Sequence, residues 1–520
     1  MDQVLLSRIQ FAFTAGYHFI FVPITIGIGL MMAIFVTRAF RSKDPEDDAL
    51  ARMWVKIYTA TFAIGVATGI TMEFSFGTNW AAYSRFVGDI FGAPLAAEAL
   101  FAFFLESIFL GFLIFGRKKI KPGLYVASAW LTFFGSALSA LWILIANSWM
   151  QTPAGAVLAP DGNEAMITNF FAAAFNPSTL PRYAHTVLSL IVMGSFITIA
   201  VAAWYLHKKN PQRLQAARKM MLTGVVVGII STGCLLISAH SSAVEVWEEQ
   251  PTKMAMMEGL YDEAVPGLAV AGIVDEENQE LSALELPGGT SFLATGTWDT
   301  AYPGLNDLAE LEAFEDIEVG EMPVNFVFQT YHIMIAMFGI ICIVLVLALI
   351  FGRRKQIESG KGVASMKWLQ WVLILSPIAP FIAIQVGWLT AEVGRQPYVV
   401  YPSTTGPEGV FLPTAEGTSA SVQPFELVIT LILFFAVYIL LFIGWARVLT
   451  RFISEGPVYD KPAAESADVE ISFKGIASDA AGNVEVVAGE GTVTSDGEAA
   501  IVEEDAVLPV DADEKGGDAK

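Results

Sequence analysis

Cysteine and histidine are scarce in this 520-residue chain, which has two of the first and five of the second. Cys234 and Cys342 each lie inside an apolar run, and no CxxC or CxxCH motif occurs. That excludes a thiolate zinc site and covalent haem attachment, and both thiols are expected to be small buried hydrophobes. Basic residues are also few. The 30 Lys and Arg stand against 52 Asp and Glu, for a net charge of -22, which excludes nucleic acid as a partner. Most of that acid lies in two segments, about 241–325 and about 455–520; the rest of the chain is not acidic. The first apolar run is too long for the core of a secretory signal, and no small-residue cleavage site follows it. No cleaved leader is therefore expected.

What the chain does have is apolar length. Hydrophobic residues make up 54% of it, against about 45–50% in a soluble domain. They fall into nine runs, roughly 9–37, 54–76, 94–116, 122–148, 183–206, 218–240, 326–352, 366–390 and 424–450. Each is long enough to span a bilayer as a helix, and those well over about 20 residues must tilt or emerge. The expected fold is an all-α polytopic membrane protein with nine transmembrane helices. Residues 1–240 would hold helices one to six, 241–325 an outer-face loop, 326–450 helices seven to nine, and 451–520 an acidic, disordered cytoplasmic tail.

The connecting loops alternate in charge. Arg38, Arg41, Lys43 and Arg52 lie between spans one and two, and Arg117, Lys118, Lys119 and Lys121 between three and four. Lys208, Lys209, Arg213, Arg218 and Lys219 follow span five, and Arg353, Arg354, Lys355, Lys361 and Lys367 follow span seven. The other side has Arg8, Arg85, Arg182, Lys253 and Arg395. Basic loops stay in the cytoplasm, so the N-terminus is expected outside and the C-terminus inside.

Ionisable side chains are costly in a bilayer, so each is a functional hypothesis. His18 lies in span one, Glu73 in span two, Glu98 and Glu106 in span three, and His185 opens span five. His332 and Met334 lie early in span seven, and Glu392 closes span eight. The topology puts most of these in the outer half of the membrane, with His18 ~14 Å from the outer end of its helix. Glu106 lies about 12 Å deeper than Glu98, where it can relay protons with Ser107 beside it. His and Met together suit a six-coordinate electron-transfer haem. The residues alone leave other readings open. A single intramembrane His also serves as a helix–helix hydrogen bonder, Glu73 as a polar interface partner, and a Met as core. His207 is expected to be solvated on the basic rim, His240 to be a surface residue, and Arg85 and Asp89 to belong to a folded outer loop. A transporter explains the acids but not the His/Met pairing; a one-electron cytochrome needs only His185 and Met334. A haem-copper oxidase needs more intramembrane histidines than this chain offers.

Longer motifs narrow the choice. TMEFSFGTNW at 71–80, VGDIFGAPLAAEALFAFFLES at 87–107, GSALSALWILIANSWMQTP at 135–153 and GRQPY at 394–398 occur in order. Together they resemble subunit I of cytochrome bd-type quinol oxidases over about residues 3–450. The resemblance implies a bacterial plasma-membrane enzyme that oxidises quinol at the outer face and reduces oxygen to water without pumping. It implies two haem b and one haem d, a homologous second subunit and, in some members, a small accessory membrane peptide. His185 and Met334 match the low-spin haem b ligands. His18, in SRIQFAFTAGYHF, with Glu98 and Glu392 matches the ligands of the high-spin haem b and haem d, and Arg395 of GRQPY belongs to the same cofactor pocket. Glu106, Ser107 and Ser139, leading to Glu98, match the proton route. QPTKMAMMEG at 250–259 resembles the quinol-binding loop of the short-loop subfamily, with Lys253 and Glu258 as the quinol residues. Without the resemblance, a Lys and a Glu in an outer loop are ordinarily just solvated.

Two positions depart from the pattern. Tyr398 stands where the family often has Trp, which keeps an aromatic ring but changes its hydrogen bonding. His332 stands where some members have Arg, two residues before the Met ligand. A histidine is not a permanent cation, and it offers a rival ligand for the low-spin haem.

Overall fold

In lipid every backbone N–H and C=O must find a partner within the protein, which leaves an apolar run of this length one economical choice, the helix. The computed structural model describes residues 2–314, 317–403 and 405–457, and within the tail 471–478, 484–493 and 499–500. Among the described residues nine helices are long and apolar enough to cross a membrane. Spans one to five are Gln3–Ser42, Pro45–Thr78, Gly88–Phe115, Pro122–Gln151 and Phe170–Lys208. Spans six to nine are Pro211–Glu249, Val324–Phe351, Lys367–Val393 and Pro424–Glu455.

The helices outrun the apolar runs. Span one has 40 residues, roughly 60 Å at about 1.5 Å per residue, about twice the hydrocarbon thickness. Its start is fixed by Asp2, whose side chain accepts from the Val4 N–H at 2.9 Å. Asp44 caps span two in the same way, accepting from Glu46 N–H at 3.0 Å, with Pro45 in the first turn. Span six continues to Glu249, so residues 241–249, expected in the outer loop, are helical instead.

At the end bearing the basic loops, ion pairs knit the spans together. Lys219 of span six reaches Asp47 at 2.7 Å and Asp44 at 2.9 Å, and Arg38 of span one reaches Asp47 at 3.0 Å. Arg117, just beyond span three, pairs with Asp48. His207 differs from its expected solvated state: its Nδ1 lies 3.1 Å from Gln370 Oε1, and its ring contacts Trp204 and Trp371. Cys342 is partly covered, but Cys234 is exposed on span six, contrary to the expectation of burial.

Prolines break the helices where the chain must deviate. Pro23 in span one cannot donate to the Phe19 carbonyl; Gln385 of span eight does so instead, at 3.0 Å. Pro94 in span three precedes a π-helical turn over Glu98–Phe103. Span eight divides at Pro377 into Lys367–Leu375 and Ile378–Val393. Spans one and five touch backbone to backbone: a Cβ on Gly194 would lie 2.1 Å from the Gly27 carbonyl carbon. Small residues permit such approach between membrane helices.

At the opposite end, between spans six and seven, the chain forms the helix Pro251–Glu258 and a hairpin of Leu268–Asp275 with Glu280–Leu286. These close over a second core that includes Met256, Met257, Tyr261, Phe314, Phe328 and Tyr401. Asp89, expected in a folded loop, instead lies in the first turn of the span-three helix, where it accepts from the Ile167 N–H at 2.7 Å.

Residues 459–520 form a separate unit. There, Ile471–Ser478, Val484–Val493 and Ala499–Ala500 make a three-stranded antiparallel sheet. Composition led to an expectation of disorder across this tail. The alternation of apolar and polar residues in ISFKGI and VEVV, a period of two, is the local signal for strand that the overall acidity masks. The rest of the tail lies outside the described residues.

Candidate functional site

The Gly27–Gly194 crossing fixes the relative depth of two histidines. His18 and His185 each precede their glycine by nine residues, about 14 Å on helices entering from the same end. His18 lies against Gly69 of span two, where a Cβ would come 3.2 Å from its Cε1. Its Nδ1 is 2.8 Å from Thr68 Oγ1. One turn beyond Gly69 on the same helix is Glu73, close enough to Glu98 of span three for the two carboxyls to interact. Glu73 thus joins the His18 region rather than pairing with an arginine. Glu98 opens the π-helical turn, a local widening often found at functional sites, and accepts from Ser139 Oγ of span four at 2.7 Å.

Two turns deeper, Glu106 is 6% exposed. Gly135 of span four makes room for it: a Cβ there would sit 2.7 Å from Glu106 Cγ. Ser136 reaches the same carboxyl and lies 3.0 Å from the Tyr58 hydroxyl. Span three therefore shows two carboxyls, each facing a hydroxyl on span four. Ser107, next to Glu106, is half-buried.

A second constellation lies at the ends of spans four, five, six and eight away from the basic loops, and cations dominate it. Glu392 Oε1 accepts from Asn147 Nδ2 at 2.9 Å, and Arg395 Nη2 is 2.5 Å from Oε2. Asn147 Oδ1 accepts from Arg182 Nη2 at 3.0 Å. Arg182 precedes His185 by three residues, which puts both on one face of span five. Lys253 Nζ donates to Gln250 Oε1 at 2.7 Å and to Gln151 Oε1, and its stem packs on Gly394. Glu245, 6% exposed, accepts from Ser178 Oγ. Several buried atoms here have no partner among the described residues: Arg182 Nε, Arg395 Nε and Nη1, His185 Nδ1 and Glu245 Oε2.

Met334 of span seven rests on span eight at Gly387, where a Cβ would lie 2.8 Å from its Sδ. His332 faces elsewhere. Two residues along a helix turn the side chain by about 200°, and its Nδ1 bonds the Phe328 carbonyl at 2.8 Å while its ring lies 4.0 Å from that of Phe328, a residue of the second core. Its Nε2 is buried without a partner among the described residues, so His332 offers a free imidazole nitrogen on a different side of span seven from the Met334 sulfur. Tyr398 keeps its aromatic packing, edge-on to Tyr401 and Phe411.

Lys253 and Glu258 are not the solvated pair that loop residues usually make: each is 2% exposed. They also point apart, because five residues on the helix Pro251–Glu258 place them about 140° from one another. Glu258 faces the hairpin side, with Thr290 Oγ1 at 3.1 Å from its Oε2. Burial pushes its carboxyl up to about 8, with Thr290 pulling down and Glu285 pushing up. Burial likewise holds the Lys253 amine well below its ordinary value.

Glu245, Arg182, Asn147, Gln151 and Gln250 were missed as site residues in the sequence. The signal for Glu245 existed, since a buried acid on a membrane helix is a functional hypothesis; ending span six at 240 hid it.

Comparison with known proteins agrees with this architecture. The family model for cytochrome bd terminal oxidase subunit I matches residues 6–457. The chain is 34% identical to the cytochrome bd-II ubiquinol oxidase subunit 1 of Escherichia coli K12, over 88% of this chain and 97% of that protein. It is 34% identical to the cytochrome bd ubiquinol oxidase subunit 1 of Bacillus subtilis 168, over 88% and 95%. It is also similar to the solved structure of bd oxidase from Geobacillus thermodenitrificans, with a TM-score of 0.76 and 29% identity over 88% of this chain and 99% of that one.

Proposed function

Because this chain belongs to the cytochrome bd terminal oxidase subunit I family, we propose that it is the haem-bearing subunit of an enzyme that oxidises quinol at the outer membrane face, reduces oxygen to water and builds a proton gradient without pumping. The observation that carries this reading is a set of buried donors without an acceptor among the described residues: Arg182 Nε, one turn from His185, and Arg395 Nε and Nη1, linked to Arg182 through Glu392 and Asn147. Guanidinium groups next to an imidazole suit a macrocycle that bears carboxylates, because the arginines take the propionates while histidine faces the iron. His18 fits the same chemistry. Its Nδ1 is held by Thr68, which orients the ring and leaves Nε2 to coordinate.

His185 and Met334 hold a low-spin haem b. His18, Glu98 and Glu392, with Arg395, serve a high-spin haem b and a haem d. When bound, these groups supply one-electron transfer and an iron that binds oxygen. The side chains do the rest. Lys253 and Glu258 belong to the short quinol-binding loop. Gly387 and Gly69 leave room for Met334 and His18 to present their ligand atoms. Glu106, Ser107, Ser139 and Glu98 move protons from the cytoplasmic side, with the hydroxyls both donating and accepting. Electron donation from outside and proton uptake from inside together separate charge without a pump. The N-terminus is outside and the C-terminus inside a bacterial plasma membrane, and the partner is a homologous second subunit, joined in some members of the family by a small membrane peptide.

An optical spectrum of the purified, reduced protein tests this. Haem b bands with a further band in the far red are expected, the latter from the chlorin. Absence of any haem refutes the reading; haem b without the far-red band removes haem d from it.

A further inference from the structure

The fold divides Lys253 from Glu258, and Lys253 keeps company with another carboxylate. Glu245 lies on the last turns of span six, eight residues before Lys253. Two short sets of polar side chains, adjacent at Gln151 and Thr152 along the backbone, lie between the two. Lys253 Nζ donates to Gln151. Thr152, the next residue, donates from Oγ1 to Ser178 Oγ at 2.8 Å, and Ser178 donates to Glu245 Oε1. Glu245 and Lys253 also interact electrostatically, and Arg182 interacts with both. Glu245 Oε2 is buried and has no partner among the described residues. One turn on, Glu249 is half-buried and accepts from Thr405 Oγ1 at 2.7 Å at the outer edge. Residues four apart on a helix share a face, about 5–6 Å between Cβ atoms, so Glu249 stands between Glu245 and outer water.

We infer that Glu245 is a proton acceptor of quinol oxidation, working beside Lys253 and discharging through Glu249 to the outer surface. The inference rests on the quinol-oxidase reading above. The step is a proton transfer. The O–H bond of the quinol oxygen held by Lys253 breaks, the proton goes to Glu245 Oε2, and the electron pair stays on the quinolate oxygen, which is then the reductant for the haem acceptor. Glu258 lies on the far side of its helix from Lys253, beside Thr290.

The test uses the assembled oxidase in membranes with two electron donors. Quinol must lose protons; reduced tetramethylphenylenediamine gives up an electron without one. Glu245→Gln is expected to lower quinol-driven oxygen consumption at least tenfold, with an unchanged haem spectrum and an unchanged rate from the diamine. Glu249→Gln is expected to give a loss of a few-fold on quinol alone. Wild-type quinol turnover in Glu245→Gln overturns the inference, and so does an equal loss with both donors. Should Glu245→Gln not assemble, Ser178→Ala reads the same step: slower quinol turnover is expected, and an unchanged rate overturns it. If Lys253→Ala also oxidises quinol normally, the quinol-site reading itself falls.

Discussion

Glu98 and Glu106 on span three face hydroxyls on span four, whereas Glu392 and Glu245, at the end away from the basic loops, stand among Arg182, Arg395 and Lys253. The contrast separates two uses of a buried acid. A carboxylate locked to a guanidinium cannot readily take a proton, because doing so leaves a buried cation alone; its work is to hold shape and charge. A carboxylate among hydroxyls gains and loses a proton without breaking an ion pair, and the hydroxyls pass it on in either direction. Glu245 lies between these cases, with cations near it but one oxygen unengaged.

The largest break in this comparison should come from Arg395→Leu. Glu392 would lose its 2.5 Å partner, and removing one member of a buried ion pair typically costs about 3–5 kcal/mol. Haem content and thermal stability of the membrane-extracted protein should both fall. The double variant Arg395→Leu/Glu392→Gln should recover part of the stability, since no lone charge remains. Equal losses in single and double variants would show that the pairing carries no weight.

Glu258 sharpens the comparison as a buried acid with no ion-pair partner among the described residues and the Thr290 hydroxyl on one oxygen. Its folded value of about 8 stands above the ordinary 4.5. Below pH 4.5 both folded and unfolded chains hold the proton; between these values the unfolded chain has shed a proton that the folded one keeps. Stability therefore declines as pH rises through that window, by on the order of 1 kcal/mol per pH unit, and levels off above it. Glu258→Gln should flatten the slope, read by denaturation of the outer region against pH. An unchanged slope assigns it to other groups.

On the hydroxyl side, Glu106→Gln should slow oxygen consumption about tenfold or more, of the order that a positioned proton-transfer group contributes, with haem content near normal. Full activity in that variant would remove Glu106 from the route.

The parts legible in the sequence were those governed by one strong term. Nine apolar runs became nine helices among the described residues because lipid leaves the backbone no alternative, whereas the shared depth of His18 and His185 needed the Gly27–Gly194 crossing. Helix ends were not legible, since span six continues to Glu249 on propensity and packing after its apolar run stops. That one misplaced end hid Glu245. The direction of Lys253 and Glu258 was readable in principle, as Pro251 opens a helix and Gly259, at φ 68°, closes it. Five residues on such a helix cannot share a face. The direction of His332 was not legible either: it follows from the Phe328 carbonyl one turn back, which holds the ring through Nδ1. The Arg182–Asn147–Glu392 link joins spans four, five and eight, and no local pattern encodes it.

The smallest effect, and the most selective, should come from Gly135→Ala. A Cβ at this position would meet Glu106 Cγ at 2.7 Å and the Glu106 backbone nitrogen at 3.2 Å, so the carboxyl must shift rather than the chain unfold. Ala itself is favourable in a helix, and the cost is therefore confined to the carboxyl's position. Oxygen consumption should drop a few-fold while the haem spectrum and the outer cluster stay as they are. Gly444→Ala on span nine, where a Cβ meets nothing within 4 Å, is the control and should leave the rate alone. If both substitutions are silent, Glu106 tolerates displacement, and the fixed pairing of acid with hydroxyl that distinguishes span three from the cation cluster is not what sets the rate there.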